Sequence, residues 1–401
     1  MHSALSALST TNEEPDTLSE SLTTVDLQLL IQQVFQPTTG DTGLLFMVDL
    51  PDKRMADNDD WRERRMLAAE WCRVIQRERE TLGLSRISLA WYRNAGGNNA
   101  DLPKTCHLDD GKTVFHNTSE IVDRPDICFA ELFGEHSMVM ALTELSATAP
   151  LKVAARNGDF RAATMGGFLP SMIPAMKLDY GEINRRVNML RELLDQAESA
   201  HCRFTAFDSP HNLTIDLRHR TGHASGGLFP TNGVAGNLPS GEAYIVPYEG
   251  EIAGIRSRTA GTLPLQIDNE LVIYKIAGNR VVDVLTDGPE SDRQRVLVAA
   301  EPAYANVAEL GLGVLGDFGL QPTGSILLDE KLGLHIAFGR SDQFGGTVGP
   351  DDFSSPAAVV HLDRVFIRAT MPGVNVDSVI LEGPNLNQTI IVDGAFIGFG
   401  R

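Results

Sequence analysis

Leu334-His335-Ile336-Ala337-Phe338-Gly339 and Val359-Val360-His361-Leu362-Asp363-Arg364-Val365-Phe366 are two apolar runs on either side of a loop that contains Phe344-Gly345-Gly346. Both read as strands. Side chains alternate faces along a strand, so His361 and Asp363 point the same way. Strands adjacent in sequence commonly pair, which would bring His335 beside them. An imidazole and a carboxylate offered from one strand face suit a cation. Taken alone, though, a His-x-Asp pair on a strand is more often a hydrogen-bonded pair with no metal. Further ligand-type residues decide the matter.

The chain around these runs is β-rich from about residue 206 onward. Strand-like runs at 271–276 and 280–285 flank Gly278-Asn279, a hairpin signal, and 390–397 reads as another hairpin. One helix is expected near 290–300. Upstream, from 41 to 205, strand-like and helix-like segments alternate. Strands are expected at 43–49, 85–92, 126–130 and 151–155, and helices at 61–82 and 179–201, the latter with Ile183, Val187, Leu190 and Leu194 at helical spacing. The pattern predicts an α/β N-terminal domain over 41–205 with a mostly parallel sheet. A β-rich α+β metal-binding domain over 206–401 completes the expected architecture. Residues 1–40 form an N-terminal extension, mobile over 1–22, with a short helix over 25–35.

The 401 residues suffice for two domains with a substantial core. A net charge of -19 argues against nucleic acid or an anionic membrane as the main partner. No apolar run approaches a membrane span, and the N-terminus lacks the pattern of a signal peptide. Cys72, Cys106, Cys128 and Cys202 are widely spaced and read as free thiols, so a cytoplasmic location is expected. There is no GxGxxG after the first strand, no P-loop and no GxSxG.

Two further acids stand out in the β-rich half. Glu242 follows the turn Leu238-Pro239-Ser240-Gly241 and opens an apolar strand; an acid at such a turn is usually solvated. Glu309 lies in Val307-Ala308-Glu309-Leu310-Gly311-Leu312-Gly313, where a buried carboxylate must be paired or metal-bound. Glu242, Glu309, His335, His361 and Asp363 together carry more negative charge than one divalent ion needs. They suit a pair of ions sharing a carboxylate, which activate a water and polarise a carbonyl. Glu330 is placed to enter the same region as a general base.

At these residues the chain resembles the M29 metallo-aminopeptidases. Asn237-Leu238-Pro239-Ser240-Gly241-Glu242 matches that family's Asn-x-Pro-x-Glu-Glu segment, with Gly241 in place of the first Glu. Glu309 fits the next acid. Asp329-Glu330-Lys331-Leu332-Gly333-Leu334-His335-Ile336-Ala337-Phe338-Gly339-Arg340 reproduces the motif that carries a base and a ligand, and His361-Leu362-Asp363 the last pair. The resemblance covers roughly 180–400. It implies a homodimeric, cytoplasmic aminopeptidase with two zinc, cobalt or manganese ions, acting on a small peptide or amino-acid-derived substrate. Glu330 is then the base and Glu309 the shared ligand. Where the family has Tyr, seven residues after the motif His, this chain has Asp342, a candidate for holding the substrate's amino group. More distantly, Pro239-Ser240-Gly241, Gly319-Leu320-Gln321-Pro322 and His361-Leu362-Asp363 resemble the 2,5-dihydroxypyridine dioxygenases. That likeness implies a single Fe(II) on His335, His361 and Asp363 and a ring-cleaving reaction. His211, His219 and His223 read as a strand and an exposed loop, with His223 or Arg220 facing the substrate only if the loop reaches the cleft.

Overall fold

The computed structural model describes residues 21–399, so all but the last two residues of the expected mobile stretch 1–22 lie outside the described part. Three sheets organise it. The first has seven strands. Gly43–Leu50, Arg86–Arg93, Met138–Ala141, Arg161–Thr164 and Ala235–Asn237 run parallel, and Thr105–Asp109 and Asp126–Cys128 add an antiparallel edge. Every residue of Gly43–Leu50 is buried. Leu44, Phe46 and Val48 face a core that includes Trp71 and Ile75, and Leu45 and Met47 face Phe129, Leu132 and Leu151 on the other side. Helices on both faces explain why this strand is apolar throughout rather than alternating.

The second half of the chain builds an eight-stranded antiparallel sheet and a five-stranded one. In the larger sheet Ser199–Ala206 pairs with both Ser209–Asp216 and Val374–Gly383, so the C-terminal strands return to the middle of the chain. The smaller sheet runs in the order His361–Val365, Leu334–Gly339, Val307–Gly313, Glu242–Ile245, His223–Ser225. Its back face is apolar: Ala243, Ile245, Leu310, Leu312, Leu334, Ile336 and Phe338 join the core, with the helix Tyr180–Gln196 packed behind. The expected hairpins at Gly278-Asn279 and Asp393-Gly394 are present, as is the helix Pro289–Ala300.

Four expected elements change, one of them the helix expected over 61–82, which runs Asp59–Arg77. Residues 151–155 lie in the helix Thr148–Arg156, not a strand. Leu151 and Ala155, four apart, are buried while Val153 is exposed, which is helical and not strand periodicity. Residues 126–130 split into the strand Asp126–Cys128 and the start of the helix Phe129–Glu135. The helix expected to reach 201 ends at Gln196, and the alternation of 199–206 forms a strand instead. Ala235–Asn237, from the β-rich half of the sequence, completes the parallel sheet beside Arg161–Thr164. The four cysteines are free thiols.

Candidate metal centre

The front face of the five-stranded sheet carries the predicted ligands. Along Val307–Gly313 the front positions are Glu309, Gly311 and Gly313, and the cross-strand partners are Glu242 opposite Gly313 and His335 opposite Gly311. A β-bulge between Val307 and Glu309 sets the acid opposite Ala337, which in turn pairs with Asp363. The two glycines make the room. A Cβ on Gly311 would lie 1.8 Å from His335 Nε2, and one on Gly313 would lie 2.3 Å from the Lys331 backbone. Small residues on the middle strand let longer side chains from both neighbours meet above it.

Two groups form there. Glu242, Glu309 and His335 have ligand atoms within 4.8 Å of one another, and so do Glu309, His361 and Asp363. Glu309 belongs to both. Its Oε1 is 3.2 Å from His335 Nε2 and its Oε2 is 3.6 Å from His361 Nε2. His335 Nε2 is also 3.6 Å from Glu242 Oε2, and His361 Nε2 is 3.6 Å from Asp363 Oδ1. His335 therefore groups with the two glutamates, whereas His361 and Asp363 share Glu309.

The donor set fits divalent cations. Each imidazole is oriented from behind: Nδ1 of His361 donates to the Arg340 carbonyl at 2.7 Å and Nδ1 of His335 to the Gly333 carbonyl at 3.3 Å. That assignment leaves both Nε2 atoms directed at carboxylates. Burial alone would lower both imidazole pKa values, but the carboxylates more than offset it. Glu309, Glu242 and Asp363 raise His335 to about 9, and Asp363 and Glu309, with the Arg340 carbonyl, raise His361 to about 10. Burial pushes Glu309 up, against the pull of the histidines, whereas His361 outweighs burial at Asp363 and holds it low. A centre that draws protons onto its ligands is one that lacks positive charge.

No protein-family model matches the sequence, and no curated protein sequence is detectably similar to it. The fold nevertheless has solved relatives. One is 2,5-dihydroxypyridine dioxygenase from Pseudomonas putida KT2440, with a TM-score of 0.57 and 13% identity over 94% of this chain and 98% of that one. Another is wild-type AmpT from Thermus thermophilus, with a TM-score of 0.51 and 13% identity over the same shares. The chain shares the fold of both proteins.

Around the two groups the chain has further features. Glu330 and Lys331 lie on the turn before the His335 strand. Lys331 is fully buried, with Nζ 3.2 Å from Glu242 Oε1 and in contact with Glu330 Oε1. Burial pushes the Glu330 carboxyl up; the Lys331 charge opposes this, Glu242 and Asp363 reinforce it, and the result is about 8. Asp329, from the same motif, shapes the turn by accepting from the amides of Thr323 and Gly324 at 2.8 and 2.9 Å. Gly241, where the family has Glu, leaves no room for a side chain. Its φ is +155°, and a Cβ would meet Leu315 at 2.5 Å. Asp342 pairs with Arg340 at 2.6 Å on the surface.

The sequence reading gave no role to Lys331 or Tyr244. A lysine next to a glutamate reads as solvated, and nothing in the sequence marks this one as buried. Tyr244 had a signal: it lies two residues after Glu242 on one strand, so it shares Glu242's face. Burial raises its hydroxyl pKa, and so do the charges of Glu242, Glu309 and Glu330. Its ring stacks on His223 at 5.1 Å and meets Phe344 edge-on at 5.3 Å, and Phe344 in turn meets His361 at 5.5 Å. His223 Nε2 is bonded to the Phe344 carbonyl at 3.1 Å, so the loop after the His335 strand is tied to the edge strand.

Proposed function

We propose that this chain is a metal-dependent hydrolase of the aminopeptidase type, cleaving the N-terminal amide bond of a small peptide or amino-acid amide. The observation that carries the reading is Glu309, whose two carboxylate oxygens face two different imidazoles, each with its own further acid. One cation has no use for that arrangement, and two sharing a carboxylate do. Zinc, cobalt or manganese would be held by Glu242, Glu309 and His335 in one position and by Glu309, His361 and Asp363 in the other. When bound, such a pair supplies Lewis acidity to the scissile carbonyl and makes a water nucleophilic at neutral pH.

The chain's own residues handle the proton and the geometry. Glu330 retains some exposure and, with its carboxyl raised to about 8, is suited to take a proton from the attacking water and return it to the leaving amine. Lys331 fixes where that carboxylate points. The rings of Tyr244 and Phe344 pack together beside His361. Asp342, already paired with Arg340, would need to exchange that partner to hold a substrate amine. The protein is proposed to act in the cytoplasm as a homodimer; among the described residues no helix is long and apolar enough to cross a membrane.

Glu330→Gln tests the reaction. With dipeptides and amino-acid amides as substrates, turnover should fall about a thousandfold with metal content unchanged. Full turnover in that variant would overturn the assignment. Elemental analysis decides between reaction classes. Two zinc, cobalt or manganese ions per chain support the hydrolase. One iron, with oxygen uptake on a hydroxylated pyridine or other aromatic ring, would instead support the dioxygenase chemistry named for the Pseudomonas relative.

A further inference from the structure

We infer that Lys331 grades the two cation positions: the Glu309–His361–Asp363 position fills first, and the Glu242–Glu309–His335 position fills second and more weakly. The inference rests on the two-cation reading above. Its basis is an asymmetry between the two groups. Lys331 has no solvent exposure, and its ammonium lies 3.2 Å from Glu242 Oε1 while also touching Glu330. Glu242 therefore enters its group with one oxygen committed and only Oε2 directed at His335. A cation bound there has an ammonium next to one of its ligands, in an interior where like charges repel far more than in water.

The other position has no ammonium in contact with a ligand, and Lys331 acts on Asp363 only from farther away. Among the described residues no Lys or Arg nitrogen lies within 4.0 Å of Glu309 or Asp363, whose ion-pair partners are the two histidines. The placement of Lys331 is built into the fold. Gly313 stands directly across from Glu242, and only the absence of a Cβ there allows the Lys331 backbone to lie so close to the strand. The lysine is thereby held over Glu242.

Stepwise binding of Mn2+ to the metal-free full-length protein tests this by titration calorimetry. Wild type should show two steps, and Lys331→Met should tighten the second about tenfold while leaving the first within about threefold. Removing the lysine leaves Glu330 without its partner, so the double variant Glu330→Gln/Lys331→Met, which deletes the pair together, should show the same gain. Asp363→Asn should remove the tight step and Glu242→Gln only the weak one. A purely structural lysine would move both steps or neither. Paramagnetic resonance on wild type needs no variant to fold: the first equivalent of Mn2+ should give the signal of an isolated ion, with spin coupling only as the second enters. Coupling from the first additions, loss of the tight step in Glu242→Gln, or a double variant with an unchanged second step would overturn the inference. A wild type that takes up one ion at saturation, with Glu242→Gln without effect, would instead take down the two-cation reading itself.

Discussion

Two of the places where the described residues bury charge stand in contrast, one balanced and the other not. At the start of the parallel strand Arg161–Thr164, the side chains of Arg161 and Asp41 are almost fully covered, and each carboxylate oxygen of Asp41 receives one guanidinium N–H, at 2.7 and 2.9 Å. The rest of the guanidinium is used on the Phe35 carbonyl and on Asn232. Burial alone would raise the Asp41 carboxyl, but Arg161, with Thr38 and Ser137, holds it well below the usual range. At the five-stranded sheet Glu242, Glu309, Glu330 and Asp363 gather with one ammonium, that of Lys331, which contacts only Glu242 and Glu330, and two histidines are drawn towards protonation. Neutralised burial is how a fold ties distant segments together, here residues 35, 41, 161 and 232. Burial with a surplus of one sign is costly unless something outside the chain supplies the counter-charge.

Removing one charged group from each region should therefore have opposite consequences. Glu309→Gln removes the acid common to both groups and should weaken uptake of both ions by about a thousandfold or more. The same change should stabilise the metal-free protein, by about 1–2 kcal/mol, because burial costs the Glu309 carboxylate more than the two imidazoles return. Calorimetry and urea denaturation read the two effects, and a destabilised metal-free variant would break the contrast. In the balanced region Arg161→Met leaves Asp41 buried without its partner. It should cost about 3–5 kcal/mol in urea denaturation, with metal stoichiometry unaltered.

How far the sequence disclosed these two regions follows from what local pattern encodes. The five-stranded sheet is legible because its front and back faces alternate residue by residue, so His361 and Asp363, or Leu334 and His335, reveal their sides without coordinates. Glu309 stood out because its neighbours are apolar. The Arg161–Asp41 pair was not legible: 120 residues separate its members, and nothing local marks either as buried. Lys331 was hidden for the same reason, since its burial depends on Gly313 on another strand. The helix Thr148–Arg156 was misread because Leu151-Lys152-Val153-Ala154-Ala155 is too short for its period to be decided by composition.

Gly311 offers a smaller, more local test of the unbalanced region. Gly311→Ala places a methyl group where His335 Nε2 now lies, so the ring must turn off its bond to the Gly333 carbonyl. A misoriented ligand should lower affinity at the Glu242–Glu309–His335 position about ten- to a hundredfold and leave the other position nearly unchanged. Equal losses at both would mean that the strand itself, rather than the imidazole, had moved.

The gentlest probe is pH, because the two regions respond at opposite ends of the scale. In the metal-free protein His335 and His361 are raised from 6.5 to about 9 and about 10, and Glu330 from 4.5 to about 8. All three bind protons more tightly when folded than when unfolded. Their contribution is thus complete below the unfolded values and is lost as pH rises through the folded ones. The melting temperature of metal-free protein should fall by roughly 5 °C between about pH 7 and pH 10. Bound cations displace the protons from the imidazoles, so the loaded protein should show a flatter curve there and an affinity that rises with pH. Asp41 works the other way. Its depressed carboxyl gives stability that is present above 3.8 and lost only in stronger acid, with or without metal. An alkaline limb that metal does not flatten would mean that the surplus charge on the five-stranded sheet is not what the cations neutralise.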